Sequence, residues 1–152
     1  MEQTKPHNFG EAIDRTLRII KLNYLQVFRE LGADITTEQW VILDQLSKRD
    51  GIPQSELGNA SFKNAPTVSR IIALLRQKKL ISKQQGKGDK RQTLISLTEA
   101  GRTLHQEILP HVYQLRQQGW QGLTDEDFHH LTRVLQQIEA NFNPDEEIIR
   151  ES

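Results

Sequence analysis

Polar residues that suit contacts with nucleic acid occur in two short stretches, of which the first contains Asn64, Thr67, Ser69 and Arg70. An arginine can donate two hydrogen bonds to O6 and N7 of guanine, and a threonine can reach a phosphate or touch a thymine methyl group. At the start of a helix such residues would face base edges in the major groove of DNA. We therefore predict that these four residues contact DNA, with Arg70 as the principal candidate. The alternative for Arg70 is an ordinary solvated helix position.

The second stretch is the loop Gly86-Lys87-Gly88-Asp89-Lys90-Arg91. Lys87 and Lys90 suit the neutralisation of phosphates, and Arg91 is of the type that enters a narrow minor groove. Phosphates would repel the carboxylate of Asp89, so we predict that Asp89 holds Arg91 in position through a hydrogen-bonded pair. The alternative is a loose surface pair that contributes under about 1 kcal/mol.

Both stretches lie in a strongly basic segment. Residues 61–102 contain ten basic and two acidic side chains, a net charge of +8, and the rest of the chain carries −8. The whole chain has 20 basic and 20 acidic residues, so its net charge of zero hides this separation. A solvated surface with scattered charges remains the alternative to a DNA-binding face. The ten basic residues are Lys63, Arg70, Arg76, Lys78, Lys79, Lys83, Lys87, Lys90, Arg91 and Arg102.

Composition excludes several classes of protein. The chain of 152 residues has no cysteine, which removes thiol nucleophiles, thiolate zinc sites, iron–sulfur clusters and thiol redox sensing. Its length suffices for a core without disulfides or a structural metal. The longest aliphatic run, residues 71–75, is far shorter than the roughly 20 apolar residues of a membrane helix, and residues 1–10 lack the apolar stretch of a signal peptide. We expect a cytoplasmic domain without a cofactor.

Apolar periodicity predicts two helices before the basic segment. The first begins at Asn8, which would cap it in a box with Glu11, and ends at Gly32. The second begins after Thr36 or Thr37 and ends at 50–51. Its predicted inner face consists of Trp40, Leu43 and Leu46.

The next elements form a helix-turn-helix pattern followed by a hairpin. Pro53 suits the first turn of a short third helix through Leu57, and Pro66 opens a fourth helix after the connection 61–65. Residues 81–85 and 92–97 are typical of two strands, whose basic loop makes the hairpin a wing. The predicted core positions of the fourth helix are Val68, Ile71 or Ile72, Leu75 and the aliphatic stem of Lys79.

Two more helices complete the predicted fold. Thr98 caps a fifth helix, which Pro110 would bend and Gly119 would end, and Thr124 begins a sixth. The fold class is mostly α with a small β-hairpin wing, a winged helix-turn-helix with flanking dimerisation helices. We divide the chain into an N-terminal dimerisation helix (1–34), the DNA-binding domain (35–98), C-terminal dimerisation helices (99–143) and an acidic tail (144–152).

The sequence resembles the MarR family of bacterial winged-helix regulators along nearly its whole length. The resemblance implies a homodimer, a wing on each subunit and often a small-molecule site between the dimerisation and DNA-binding parts. Absence of cysteine excludes the thiol switch of the family's organic-peroxide sensors. The residues that carry the resemblance are Thr36-Thr37-Glu38-Gln39-Trp40-Val41-Ile42-Leu43, Gln54-Ser55-Glu56-Leu57-Gly58, Pro66-Thr67-Val68-Ser69-Arg70-Ile71-Ile72, Asp89-Lys90-Arg91 and Leu97-Thr98-Glu99-Ala100-Gly101.

These observations predict a sequence-specific regulator of transcription, a repressor that binds double-stranded DNA as a homodimer at a pseudo-palindromic operator. The apolar stripes of the flanking helices exceed what a small winged-helix core can cover, which favours the dimer. A small-molecule effector would release the DNA. Arg15, Tyr24 and Trp40 are candidates for its pocket, although core packing is the alternative for Tyr24 and Trp40. The stripes include Phe9, Leu17, Leu115, Phe128 and Phe142.

Two other classes of function are considered. An enzyme or a regulatory metal site could use the histidines, since Glu107 and His111 are four residues apart on one helix. The chain lacks an HExxH motif, a phosphate-binding glycine loop and a nucleophile elbow, so we predict no enzyme. A winged helix used only for protein association is disfavoured because the +8 segment would be costly to desolvate. The histidines concerned are His105, His111, His129 and His130.

Overall fold

The computed structural model describes residues 8–60 and 64–143, with six helices and three short strands in these ranges. Lys63 and the predicted acidic tail 144–152 lie outside them. The chain divides into two compact units, Met1–Leu115 and Arg116–Ser152, with the boundary inside the fifth helix. The elements are α1 (Phe9–Glu30), α2 (Thr37–Lys48), β1 (Ile52–Pro53), α3 (Gln54–Ala60), α4 (Ala65–Gln77), β2 (Ile81–Gln85), β3 (Thr93–Leu97), α5 (Glu99–Gly119) and α6 (Asp125–Phe142).

The predicted bounds of the first two helices agree with the structure, but one predicted cap is wrong. Gly32 ends α1 with a φ of +67°, a conformation that glycine adopts without steric cost, and the Ala33 N–H then donates to the Phe28 carbonyl at 2.8 Å. The side chain of Asn8 makes no capping hydrogen bond, so the predicted box with Glu11 is absent. Thr36 caps α2 in a capping box with Gln39.

The wing is part of a three-stranded antiparallel sheet, whereas the sequence predicted two strands. The order is β1-β3-β2, and Ile52 and Pro53 of β1 pair with Ile95 and Leu94 of β3. Pro53 therefore lies in an edge strand and not in the first turn of a helix. An edge strand tolerates proline because one row of its N–H groups has no partner strand. The helix after it, α3, extends to Ala60 and not only to Leu57.

The core of the first unit lies between the inner faces of α2 and α4, the sheet and the first half of α5. It contains Trp40, Leu43 and Leu46 of α2, as the sequence predicted, and Ile95 of β3. Ile108 and Val112 of α5 are also buried here. This core fixes α4 and the β2–β3 hairpin on one scaffold, so the two basic stretches are held by common packing.

The end of α4 differs from the prediction. Lys79 was expected to add its stem to the core, but it is exposed and adopts a φ of +61°, just beyond the helix end. The N–H groups of Lys79 and Leu80 donate to the carbonyls of Arg76 and Leu75, which closes the helix in the manner usually supplied by glycine. Lys79 therefore serves as a helix stop.

The second unit contains the end of α5 and the whole of α6. Thr124 caps α6 as predicted, in a capping box with Asp127. Hydrogen bonds from the main-chain N–H and then the hydroxyl of Thr124 hold the pKa of Asp127 below its ordinary value. Trp120 packs beside Phe128 with ring centroids 6.2 Å apart, yet α6 has no buried residue. In the described ranges no helix is long and apolar enough to cross a membrane.

Candidate nucleic-acid interface

The N-terminus of α4 carries the four residues predicted to contact base edges. Asn64 is the N-cap, and its Oδ1 accepts a hydrogen bond from the Thr67 N–H at 3.0 Å. Its oxygen is thus occupied in starting the helix, and its amide NH₂ is the part left to face a ligand. Thr67 is half-buried, whereas Ser69 and Arg70 are exposed.

The buried residues of α4 show which face of the helix is exposed to solvent. Val68, Ile71, Ile72 and Leu75 are all buried, as the sequence predicted, with at most 3% of their surface exposed. Arg70 lies between them in sequence and must point the other way, because residues at three- and four-residue intervals share one face of a helix. The packing of this apolar face therefore presents Arg70 to solvent.

A hydrogen bond that sequence reasoning missed joins α3 to α4. The side-chain amide Nε2 of Gln54 donates to the hydroxyl of Ser69 at 3.1 Å. The two residues are 15 positions apart, so no local pattern in the sequence points to this bond. It connects one of the predicted contact residues to the first residue of the preceding helix.

The other end of α4 is held by a second polar contact that the sequence analysis did not identify. Lys78 Nζ donates to Oε1 of Gln39 at 3.1 Å and to the main-chain carbonyl of Asp34. Gln39 is almost fully buried, and the same Oε1 also accepts the N–H of Thr36 at 3.2 Å. Lys78 is therefore a structural member of the basic segment, which ties the end of α4 to the start of α2.

The loop between β2 and β3 is a tight turn. The Gly86 N–H donates to the Gln92 carbonyl at 2.8 Å, and the Gln92 N–H donates to the Asp89 carbonyl at 3.1 Å. A Cβ at position 86 would lie 2.7 Å from the Asp89 carbonyl oxygen, so the turn requires glycine there. All four predicted wing residues, Lys87, Asp89, Lys90 and Arg91, are exposed.

Asp89 interacts with Arg91 in a different way from the one predicted. Its Oδ1 accepts the main-chain N–H of Arg91 at 3.0 Å, and among the described residues no ion pair joins its carboxylate to the guanidinium. A short side-chain acceptor two residues before the donor stabilises a turn. Asp89 therefore shapes the backbone of the wing and leaves the Arg91 guanidinium free to project.

Most of the basic segment forms no ion pair with a carboxylate of the described residues. Within the described ranges, Lys78 and Arg102 are its only members in ion pairs, with Asp34 and Asp50. Seven of its side chains therefore project without a carboxylate within 4 Å: Arg70, Arg76, Lys79, Lys83, Lys87, Lys90 and Arg91.

Of the predicted pocket residues, Tyr24 and Trp40 both contact Phe28, whereas Arg15 lies apart from them. Trp40 is 2% exposed and packs against Phe28, with ring centroids 6.0 Å apart, so it belongs to the core. Tyr24 is half-buried and meets Phe28 edge-on at 6.1 Å. Arg15 is exposed and lies nine residues before Tyr24 on α1, a separation of roughly 13 Å along the helix axis.

The four histidines considered above are divided between the two units. His105 is buried, stacks on Trp40 with centroids 4.9 Å apart, and has its Nε2 2.9 Å from Oδ1 of Asp44. His111 is exposed on α5, and His129 and His130 lie on α6 in the other unit. In the parts of the chain that the structure describes, no three His, Asp or Glu residues are grouped so that they could hold a metal ion.

The fold and this surface together define a class of protein. A short helix is followed, four residues on, by a second helix with exposed polar residues at its start, and a basic hairpin on a three-stranded sheet comes directly after it. This arrangement is the winged helix-turn-helix.

Comparisons with known proteins agree with this class. Residues 35–93 match the model of the MarR family. The chain is 26% identical over 112 residues to the HTH-type transcriptional repressor NicR of Pseudomonas putida, covering 72% of this chain and 71% of that protein. It is 27% identical over 128 residues to the uncharacterized HTH-type transcriptional regulator YwoH of Bacillus subtilis, covering 82% and 91%. The structure of the S. aureus MepR–DNA complex superimposes with a TM-score of 0.78 at 24% identity, covering 90% of this chain and 99% of that one.

The resemblance to the MarR family found in the sequence is thus confirmed over residues 35–93, which match the model of that family.

Proposed function

We propose that this chain is a sequence-specific regulator of transcription that binds double-stranded DNA through α4 and the β2–β3 wing. The proposal rests on the seven basic side chains that form no ion pair within residues 8–60 and 64–143, which include Arg70 on α4 and three residues at the wing tip. Neutralising phosphates with such side chains releases counterions and supplies much of the affinity of proteins for DNA.

The two contact modes are assigned from position. Ser69 and Arg70 lie on the exposed face of α4 near its N-terminus, the part of a recognition helix that meets base edges. Arg91 lies at the tip of a narrow turn, which suits insertion into a minor groove, beside Lys87 and Lys90. Thr67 is suited to a phosphate, and Asn64 and Asp89 position the helix and the turn.

The regulator acts as a homodimer in this proposal. The N-terminal half of α1 exposes Phe9 by 62%, Ile13 by 44% and Leu17 by 47%. On α6, Leu131 is exposed by 54% and Phe142 by 82%. Apolar stripes of this kind are characteristic of helices that are buried against a second subunit. A two-fold dimer would bind a pseudo-palindromic operator with half-sites about one helical turn apart.

The proposal also includes repression of transcription and release of the DNA by an effector. NicR, a relative over most of this chain, is named a repressor. An effector would bind where Tyr24 on α1 and Leu104 on α5 pack, both only partly buried, against the core that carries Trp40. To act, it must bind the DNA-free form more tightly than the DNA-bound form. We assign no enzymatic activity and no cofactor to the chain.

Selection of bound fragments from the host genome tests the proposal. We expect the recovered fragments to share a pseudo-palindrome whose half-sites are separated by roughly 10–10.5 bp. A recovered pool with no common motif would contradict sequence-specific binding.

Sedimentation at micromolar concentration tests the dimer separately. We expect twice the mass of the 17.6 kDa chain. A stable monomer under these conditions would remove the dimer from the proposal and leave the DNA-binding surface to be judged by the selection.

A further inference from the structure

The hydroxyl of Ser69 on α4 accepts a hydrogen bond, whereas the hydroxyls of Thr16 on α1 and Ser47 on α2 donate one. Thr16 donates its hydroxyl hydrogen to the Ala12 carbonyl of its own helix at 2.8 Å, and Ser47 donates to the Asp44 carbonyl at 2.6 Å. Ser69 instead accepts a hydrogen bond from Gln54 at 3.1 Å, and within the described ranges its own hydrogen has no acceptor. The hydrogen is therefore available on the exposed face of α4.

The roles of donor and acceptor in this bond determine how Ser69 can hydrogen-bond to a ligand. A hydroxyl has one hydrogen and two lone pairs. Because the Gln54 amide occupies one lone pair, the hydrogen must turn away from Gln54. The bond therefore directs the only hydrogen of Ser69 outward, where it can be donated to a ligand, while a second lone pair remains on the oxygen.

We infer that Gln54 is a positioning residue that fixes Ser69 as a hydrogen-bond donor to N7 of a purine in the major groove. This inference rests on the proposed DNA-binding function and adds to it the base feature that is read. N7 is the major-groove acceptor that adenine and guanine share. A single fixed donor at this position is compatible with either purine and disfavours cytosine, which presents the N4 donor in the major groove.

Scanning the operator with 7-deazapurines tests the inference. The probe is a duplex selected from a randomised pool by the parent protein, with each purine of the half-site replaced in turn by its 7-deaza analogue, which lacks the N7 acceptor. We expect one position at which the replacement weakens binding of the parent about fivefold per half-site, equivalent to ~1 kcal/mol for one neutral hydrogen bond. An exchange of adenine and guanine at that position should have a smaller effect than a change to cytosine.

Three variants test whether the sensitivity to 7-deaza replacement depends on Gln54 and Ser69. With Ser69→Ala the sensitivity at that position should disappear. With Gln54→Ala it should fall below twofold, and the double variant should resemble Ser69→Ala because the two residues act as one unit. Gln106→Ala, which removes an exposed amide from α5, is the matched control and should retain the sensitivity of the parent.

The results distinguish a purely structural role of Gln54, a phosphate contact of Ser69 and the absence of sequence-specific binding. A purely structural role of Gln54 predicts weaker binding to every duplex and a lower melting temperature, with the 7-deaza sensitivity unchanged, and this result would overturn the inference. Loss of affinity in Ser69→Ala without any 7-deaza position would place the hydroxyl on a phosphate and would also overturn it. If the parent enriches no sequence from the pool, the proposed function itself fails, and the inference fails with it.

Discussion

The role of Asp89 in the wing gives the sharpest prediction, because two substitutions at one position should have opposite effects. Asp89→Asn removes the charge but keeps a side-chain oxygen that can accept the Arg91 N–H, whereas Asp89→Ala removes both. If the carboxylate shapes the turn, asparagine should preserve the wing and alanine should not. If it acts through the Arg91 guanidinium, both substitutions should weaken binding to a similar extent.

The magnitudes follow from the geometry. Loss of the exposed hydrogen bond at 3.0 Å costs ~1 kcal/mol per wing, since the turn must then be ordered at the moment of binding. A carboxylate roughly 7 Å from a phosphate in water at physiological salt opposes binding by only ~0.2–0.3 kcal/mol. For a dimer with two wings, Asp89→Ala should bind about tenfold more weakly, and Asp89→Asn about twofold more tightly.

Fluorescence anisotropy with a labelled operator at moderate salt measures both values. The melting temperatures of the two variants should match that of the parent, because the turn is exposed and lies outside the core. Equal affinities of the alanine and asparagine variants, or tighter binding by the alanine variant, would refute the assignment of Asp89 to the turn.

Four other substitutions or conditions test separate parts of the account. Arg70→Ala should cost on the order of 1–3 kcal/mol on the operator and relax discrimination at one position per half-site, as competition with base-substituted operators would measure. Arg91→Ala should weaken binding to all sequences, most of all at A·T-rich flanks, and flatten the salt dependence found by titration at several ionic strengths. Gly101→Ala should lower the urea midpoint and cost at least ~1–3 kcal/mol, because a Cβ there would lie 2.0 Å from the Leu80 carbonyl oxygen. Since the pKa of Asp127 is lower in the folded chain, its stabilisation of α6 should be full above about pH 4 and lost as the pH falls through the lowered value, which acid titration followed by circular dichroism would detect.

Local signals in the sequence were sufficient for much of the fold. The threonine caps at Thr36 and Thr124 were predictable because an N-cap hydroxyl and its partner lie three residues apart. The buried face of α4 was predictable from helical spacing, and the strand 81–85 from its composition and the glycine-containing loop that follows. These features depend on neighbours within about one helical turn or one hairpin.

Two of the features that were missed depend on residues distant in the chain, and a third on a residue in an unusual conformation. Pro53 forms a strand because Leu94 of β3 lies beside it, and nothing near Pro53 in sequence indicates this pairing. Lys79 ends α4 in a conformation usually given to glycine, so composition could not mark the boundary. The bond between Gln54 and Ser69 exists only once α3 and α4 have packed together.

The prediction for Asp89 identified the right partner residue but the wrong atoms. The charges of Asp89 and Arg91 suggested a pair of side chains, and the sequence contains no information on which atom of Arg91 is nearer to the carboxylate. The hairpin closed by Gly86 and Gln92 brings the main-chain N–H of Arg91 to the carboxylate. Residue types therefore identified the two partners, and the turn geometry determined how they interact.

The ratio of affinities for the selected operator and for a shuffled duplex of the same base composition shows whether the protein recognises a base sequence. Both affinities should be measured on the parent protein by anisotropy at ~0.15 M salt, since affinities for DNA have no meaning without a stated salt concentration. If α4 reads base edges and the wing secures the complex, the operator should bind at least about 10³-fold more tightly than the shuffled duplex. Equal affinities for the two duplexes would contradict the account.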